Sequence, residues 1–463
     1  MQSPREILAG IWTSVGGEER ALDALTLTGA EPQLPSSFRV AAAAQVSIAA
    51  SGLAAAGIWK MRTGQAQQVA VDMRHAAIEC RSERYLRVDD KPPPPAWDAI
   101  AGVYEVSDGF VRLHTNFPHH RDAVCRVLNC PPEREAVQAA LLQWQGAAFE
   151  TAAYADGGVV AFMRSHDEWS ATPHAKALAG LPLISITKIG EAAPKPWLAG
   201  DRPLAGIRVL DLSRVIAGPV AGRTLAAHGA DVLLISGPKL PAIPWLTIDT
   251  GRGKLTSFVE LGSEEGRAIL LGLLAEADIF SQGYRPRALA ALGFAPEDAA
   301  RINPGIVYVT LSAYGHAGPW AERRGFDSLV QTTTGFNHAE GKAAGIDGPK
   351  ELPAQMLDHA TGYFMAFGAM MAKARQAREG GSWHVQVSLA QTGRWLWNLG
   401  RVAGGLDTRD ITGEAVMPFM EQVDSGFGAL RSVRHSAVLS KTPAFWARPA
   451  MPLGSHPPQW PSR

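Results

Sequence analysis

The chain has 463 residues, with 44 basic and 44 acidic side chains and no formal net charge. It is longer than one ordinary core, so two or more domains are expected, and its neutral balance offers no global field for nucleic acid or an anionic membrane. Three cysteines (Cys80, Cys125, Cys130) without metal-like spacing, and a start lacking the basic-then-apolar pattern of a signal peptide, point to reduced thiols in a cytoplasmic protein.

In chain order, residues 40–59 come first as a stretch of twenty without a charge. The length would suit a membrane span. Its alanines are interrupted by Gln45, Ser47, Ser51, Gly52 and Gly57, however, which favours a buried, closely packed helix. Lys60 and Arg62, a stop at Gly64 and an alternating strand over 68–73 follow. A proline run at 92–95 precedes a hairpin over 103–114 with its turn at Ser107, Asp108 and Gly109, and then a helical stretch at 134–144. Residues 191–200 read as a linker. The expected organisation is a first half at 1–199 carrying a smaller α+β domain, and a second half at 200–463.

Residues 206–236 divide into a strand (207–212), a turn at Ala217, Gly218 and Pro219, a helix (220–227) and a second strand (232–235). Strand, helix and strand in so short a span make a βαβ unit and imply a parallel, Rossmann-like sheet. The turn leaves helix-start N–H groups free to meet a nucleotide or its phosphates. It is not a GxGxxG loop. Farther on, the segment 351–362 delivers Asp358 to the start of a helix of buried composition. Such a carboxylate is either a simple N-cap or a reactive group held at the positive end of the helix dipole. Residues 443–461, rich in proline, are expected to lie extended over a surface.

A displacement of 316 lays the first long helix over the one that follows Asp358. Ala44 matches Ala360, Gly52 matches Gly368, Arg62 matches Arg378, Gly64 matches Gly380, and Val69 and Val71 match Val385 and Val387. The position equivalent to Asp358 is Ala42, so the first copy has no nucleophile.

The segment 206–397 resembles the class III, carnitine-dehydratase-like coenzyme A transferases. The motifs are the strand, Ala217-Gly218-Pro219, helix and Gly229-Ala230-Asp231-Val232 opening, then Ala277 to Phe280 with Tyr284-Arg285-Pro286, and Leu292-Gly293. Residues 304–309, 311–319 and 325–330, and Asp358 with Thr361-Gly362, complete them in order. The resemblance implies a Rossmann-like CoA-transferase domain plus a smaller α+β domain in an interlocked arrangement, with a homodimer as one form of it. It implies Asp358 as the nucleophile that exchanges CoA between an acyl-CoA and a carboxylic acid through an aspartyl anhydride and an aspartyl-CoA thioester. No cofactor is needed beyond the CoA thioester that serves as substrate. Arg285 matches a position that contacts CoA phosphate, and Tyr314 matches an active-site tyrosine.

The chain departs from the family pattern in three places. No glycine run is available to cover the aspartate, only Gly404-Gly405 and Gly426-Phe427-Gly428. Ser236-Gly237-Pro238 stands where many relatives have Glu after the second strand. A racemase of the same family would need a histidine before Asp327 to move a proton, and Phe326 is there. A non-catalytic CoA-binding homologue is the third reading. No metal site is expected: His119 and His120 lack partners at ligand spacing and read as surface residues, and His75 reads as structural.

Overall fold

The computed structural model describes residues 1–462. In the first half lie β1 (Leu25–Thr28), helix α1 (Val40–Thr63), β2 (Val69–Asp72), the hairpin β3 (Gly102–Val106) and β4 (Gly109–Leu113), and β5 (Ser185–Gly190). The second half opens with β6 (Arg208–Leu212), α2 (Ala217–Ala227), β7 (Asp231–Ser236), β8 (Lys254–Phe258), β9 (Ile279–Gln282) and β10 (Val307–Ser312). It continues with α3 (Asp327–Thr333), α4 (Met356–Glu379), β11 (Ser382–Ser388) and β12 (Ala437–Leu439).

The large sheet runs β8-β7-β6-β9-β10-β11-β5. All its pairings are parallel except that of β5, which lies antiparallel on β11. Counted in chain order, the six parallel strands stand as 3-2-1-4-5-6, the order of a doubly wound dinucleotide fold, whose crevice opens where the order reverses, between β6 and β9. Covered on both faces, β6 is buried at every position, as parallel strands flanked by helices are. The expected βαβ unit is present, and its helix begins earlier than expected, at Ala217. Proline is tolerated in a first turn, where its missing N–H is an orphan in any case, so Pro219 does not delay the helix.

The internal repeat is structural. α1 and α4 are displaced by the same 316 residues at both ends, and each ends on a left-handed glycine, Gly64 and Gly380. Each also presents a glycine to its own strand. A Cβ on Gly52 would lie 3.2 Å from Val69, and one on Gly368 would lie 2.6 Å from the equivalent Val385. The first copy keeps only a small sheet, β1-β2-β12, with β1 parallel and β12 antiparallel to β2. That is the pattern of β10, β11 and β5 at the edge of the large sheet. The exchange is reciprocal: the first half supplies β5 to the sheet of the second, and the second supplies β12 to that of the first.

α1 and α4 pack on each other as the most extensive helix pair in the molecule. α1 is long and apolar enough to cross a membrane, but 94% of its apolar window is buried inside the protein, where it serves as a core helix. α2 closes on the other side of α4. A Cβ on Gly362 would lie 2.4 Å from the Ala217 carbonyl oxygen, so only glycine lets the two helices approach this closely. The tail beyond Pro443 is extended as expected and is tied down by Trp446 Nε1 donating to the Arg223 carbonyl (2.9 Å) and Trp460 Nε1 donating to that of Leu273 (3.0 Å).

Charge also joins the halves. Asp249 Oδ2 accepts from Ser82 Oγ (2.6 Å) and Arg223 Nη1 (2.7 Å), while its Oδ1 accepts from Arg252 Nη2 (3.0 Å). All four residues are buried. Removing one member of such a network leaves an uncompensated charge in the interior. Asp249→Ala is therefore expected to lose about 3–5 kcal/mol of stability, read as a fall in urea midpoint, with Ser82→Ala losing less because it removes no charge.

Candidate active site

Gln355 is the N-cap of α4 and makes no side-chain cap bond, so Asp358 is the third residue of the helix rather than its cap. The Asp358 N–H donates to Asp327 Oδ2 at 2.8 Å, and Gln331 Nε2 donates to the other Asp327 oxygen. Asp327, at the start of α3, thus supplies the acceptor for the first turn of α4. The first repeat keeps this device: Glu31 Oε1 accepts from the N–H of Ala42 at 2.7 Å. The comparison separates two roles. An accepting carboxylate is part of the helix start in both copies, whereas a carboxyl on the helix at this position exists only in the second.

Asp358 lines a cavity of about 510 Å³ whose walls come from both halves of the chain. The first half contributes Glu83, Arg84, residues 93–97, His114 and Asn116; the second contributes Val215, Ile216, residues 243–246, Phe326 and Asp327. Burial raises the Asp358 carboxyl well above its ordinary range, and the charges of Asp327 and Glu83 push the same way. Burial raises Asp327 as well, against the hydrogen bonds that favour its ionised form. Two neighbouring buried carboxyls resist simultaneous ionisation. Dipole stabilisation alone therefore does not set the state of Asp358, as the sequence reading had it. Glu83 goes the opposite way: burial would raise it, but the hydrogen bond from His359 Nε2 (3.1 Å) and its charge bring it below the usual value.

His114 lies flat on Phe326, with ring centroids 3.8 Å apart and an interplanar angle of 8°. Burial, helped by His120 and Arg112, lowers it to about 3, which leaves a neutral imidazole at physiological pH. Its Nδ1 is buried without a hydrogen-bond partner among the described residues. His119 is exposed as expected, but His120 is not a surface residue. It is buried edge-on to Phe117, and apolar contact with that ring and Phe326 explains the difference. His75, read as structural, donates from Nε2 to the Arg434 carbonyl (3.0 Å), away from this cavity.

A second cleft lies at the carboxyl ends of β6 and β7, lined by Ser213, Arg214, Pro219 and Ser236, and it shares Val215, Ile243 and Leu246 with the first. Ala217 and Gly218 begin α2 beneath it, with first-turn N–H groups that have no acceptor within the helix. That helix start is anchored by the buried Lys254, which donates to Asp211 Oδ2 (2.9 Å) and to the Pro219 carbonyl (2.8 Å). Val215, at the joint between the two spaces, has φ +72°, a conformation costly for a β-branched residue. Arg285 is exposed on the loop after β9, and its charge is felt by His119, His120 and Arg324. Tyr314 stands apart. Its ring is buried edge-on to Trp320, its hydroxyl lies 3.4 Å from Thr333 Oγ1, and it lines neither space.

Neither glycine pair covers Asp358. Gly405 packs on the Ser36 carbonyl and Gly428 on Asp89. The cover is residues 93–97, the proline run of the first half. Sequence reasoning missed this, along with His114, Glu83 and His359. His359 adjoins Asp358 in the chain, but its partner Glu83 is 276 residues away and no local pattern links them.

Residues 204–410 match the model of CoA-transferase family III. The "Acetyl-coenzyme A transferase nodX" of Hypoxylon pulicicidum is 27% identical over 323 residues, covering 64% of this chain and 54% of that protein. The "Probable fatty acyl-CoA transferase Rv3272" of Mycobacterium tuberculosis is 34% identical over 205 residues, covering 41% and 50%. Its crystal structure aligns at 32% identity with a TM-score of 0.40, over 43% of this chain and 57% of that one. The human "Succinyl-CoA:glutarate CoA-transferase" is 32% identical over 191 residues, covering 39% and 43%. The chain thus spans about half the length of these relatives.

The raised Asp358 carboxyl has a stability consequence. A carboxyl raised by folding binds its proton more tightly in the native state, so its contribution is present below the unfolded value and is lost as pH rises through the folded one. Asp358→Asn is therefore expected to melt near wild type at pH 4 and increasingly above it from pH 5 to 8, measured as ΔTm against pH.

Proposed function

We propose that this protein transfers coenzyme A between an acyl-CoA and a carboxylic acid, with Asp358 as the nucleophile. One observation carries the reading: a single carboxyl, free of capping duty and absent from the first repeat, lines a cavity that adjoins the cleft at the strand ends. In this reading the nucleotide end of CoA occupies the cleft beside Arg214 and the α2 start, with Arg285 at its rim, and the thioester reaches Asp358 past Val215.

The Asp358 carboxylate attacks the thioester carbonyl; the C–S bond breaks, and CoA leaves as a thiolate with a mixed anhydride behind it. The thiolate attacks the aspartyl carbonyl and releases the first acid, leaving an aspartyl-CoA thioester. A second carboxylate attacks that thioester, and the returning thiolate takes the new acyl group and frees Asp358. Charge and protons balance over the cycle. The attack requires the ionised aspartate, so activity should rise with pH through a range above that of an ordinary carboxylate, as the raised Asp358 dictates.

Both halves line the site, which supports a site completed within one chain, with the exchanged strands β5 and β12 as an intrachain form of interlocking. A second reading, an acyl-CoA isomerase, is favoured by His114, a neutral imidazole from the other half stacked where the proton-moving histidine is missing at Phe326. Deuterium entering the acyl α-carbon without an acceptor acid would identify it.

The primary test is trapping. Wild-type protein incubated with an acyl-CoA and hydroxylamine is expected to give a hydroxamate at Asp358 by peptide mass spectrometry. Asp358→Ala should give none and lose CoA exchange by at least about 10³-fold; turnover within a few-fold of wild type would sink the reading. Arg285→Ala removes one charge-assisted phosphate contact of about 1.5–3 kcal/mol, so KM for acyl-CoA should rise roughly tenfold to a hundredfold with little change in kcat. Arg285→Lys keeps the charge but not the fork, and should recover part of that loss.

A further inference from the structure

We propose, resting on the CoA-transfer reading above, that the acyl pocket beside Asp358 selects bulky apolar monocarboxylates, aromatic ones best, and rejects dicarboxylates. Its apolar lining includes Pro93, Pro94, Pro95, Trp97, Trp245 and Phe326.

The proline-run wall is held in place before any substrate arrives. Asn116 accepts from the Asp98 N–H and donates to the Ala96 carbonyl, both at 2.9 Å. Thr115 Oγ1 donates to Asp98 Oδ1 at 2.9 Å. The Arg112 guanidinium sits 4.9 Å from the centre of the Trp97 ring, and Trp97 meets the His114 ring edge-on at 5.8 Å. His114 in turn lies flat on Phe326, so Trp97, His114 and Phe326 are linked ring to ring. Prolines with fixed φ add stiffness, and a wall ordered in advance costs little entropy on binding. Trp97 nevertheless remains 39% exposed, an aromatic surface still free to cover an apolar group.

Charge supplies the rejection. The carboxyls of Asp358, Asp327 and Glu83 all line the pocket. Among the described lining residues the sole permanent cation is Arg84, which is 42% exposed and already faces Glu83 at 3.9 Å. His114 is neutral. A second substrate carboxylate would meet Glu83, which His359 keeps below its usual value, without a free counter-ion, and the low dielectric of the site magnifies that repulsion.

The full chain is assayed with propionyl-CoA as donor and phenylacetate, acetate or succinate as acceptor. Burying a phenyl ring against these walls should give phenylacetate a kcat/KM on the order of 10- to 100-fold above acetate, with succinate below acetate. Trp97→Ala should bring the phenylacetate-to-acetate ratio to within a few-fold of one, and Trp97→Phe should restore most of it. Succinate equal to or better than phenylacetate, or a ratio unmoved in Trp97→Ala, overturns the proposal. Exchange and an Asp358 hydroxamate in the absence of that preference overturn the pocket assignment while leaving CoA transfer standing. If neither exchange nor hydroxamate is found, CoA transfer itself fails. Calorimetry then decides the pocket alone: tighter binding of phenylacetyl-CoA than succinyl-CoA, lost in Trp97→Ala, is expected, and equal affinities overturn it.

Discussion

The structure depends on a helix, α4, that is covered on nearly every side by other parts of the same chain. α1 lies along one flank, α2 along another and β11 beneath, and glycines are placed where α2 and β11 come closest. Gly362 lets the backbone of α2 press against the first turns of α4, and Gly368 admits Val385. Close packing of this kind leaves little room for adjustment, since interiors are as dense as organic crystals. It also shapes the candidate site: the contact that requires Gly362 sets the start of α2, beneath the strand-end cleft, against the helix that carries Asp358. Packing and site geometry are one constraint.

The two copies of the repeat differ in what they hold. The first has its long helix, its glycine stop and its capping carboxylate, but holds only a small sheet and an alanine at the position equivalent to Asp358. The second kept the doubly wound sheet and the aspartate, while its hairpin, strands 420–425 and 428–433, follows soon after β11. What the second lacks as a cover, the first provides with its proline run and the loop bearing His114. Loss in each copy is tolerated because the missing part is supplied by the other across β5, β12 and the Asp249 network.

The candidate site also places function against stability. Three carboxyls converge on one cavity, and among them Glu83 is the one hydrogen-bonded by a histidine, His359. Asp358 is thereby left as a carboxyl that burial and neighbours hold reluctant to ionise. A carboxyl raised in this way is scarcer as the anion but more reactive when ionised, a balance common where chemistry needs a carboxylate out of water. The left-handed Val215 stores strain in the same place, at the passage between cleft and cavity.

Much of this was legible in the chain itself. The βαβ unit, the hairpin over 103–114, the linker, the extended tail and the 316-residue repeat all follow from periodicity, turn chemistry and self-similarity, which act between near neighbours or between copies of one pattern. Asp358 could be singled out because its equivalent, Ala42, lacks a carboxyl. Tertiary structure alone decided the rest. The exposure of Arg285, the burial of Tyr314 and His120, the pairing of Glu83 with His359 and the use of a proline run as cover join residues far apart in the chain. Those contacts depend on how two half-units fold over one another, and side chains hundreds of residues apart carry no local sign of the partner they will meet.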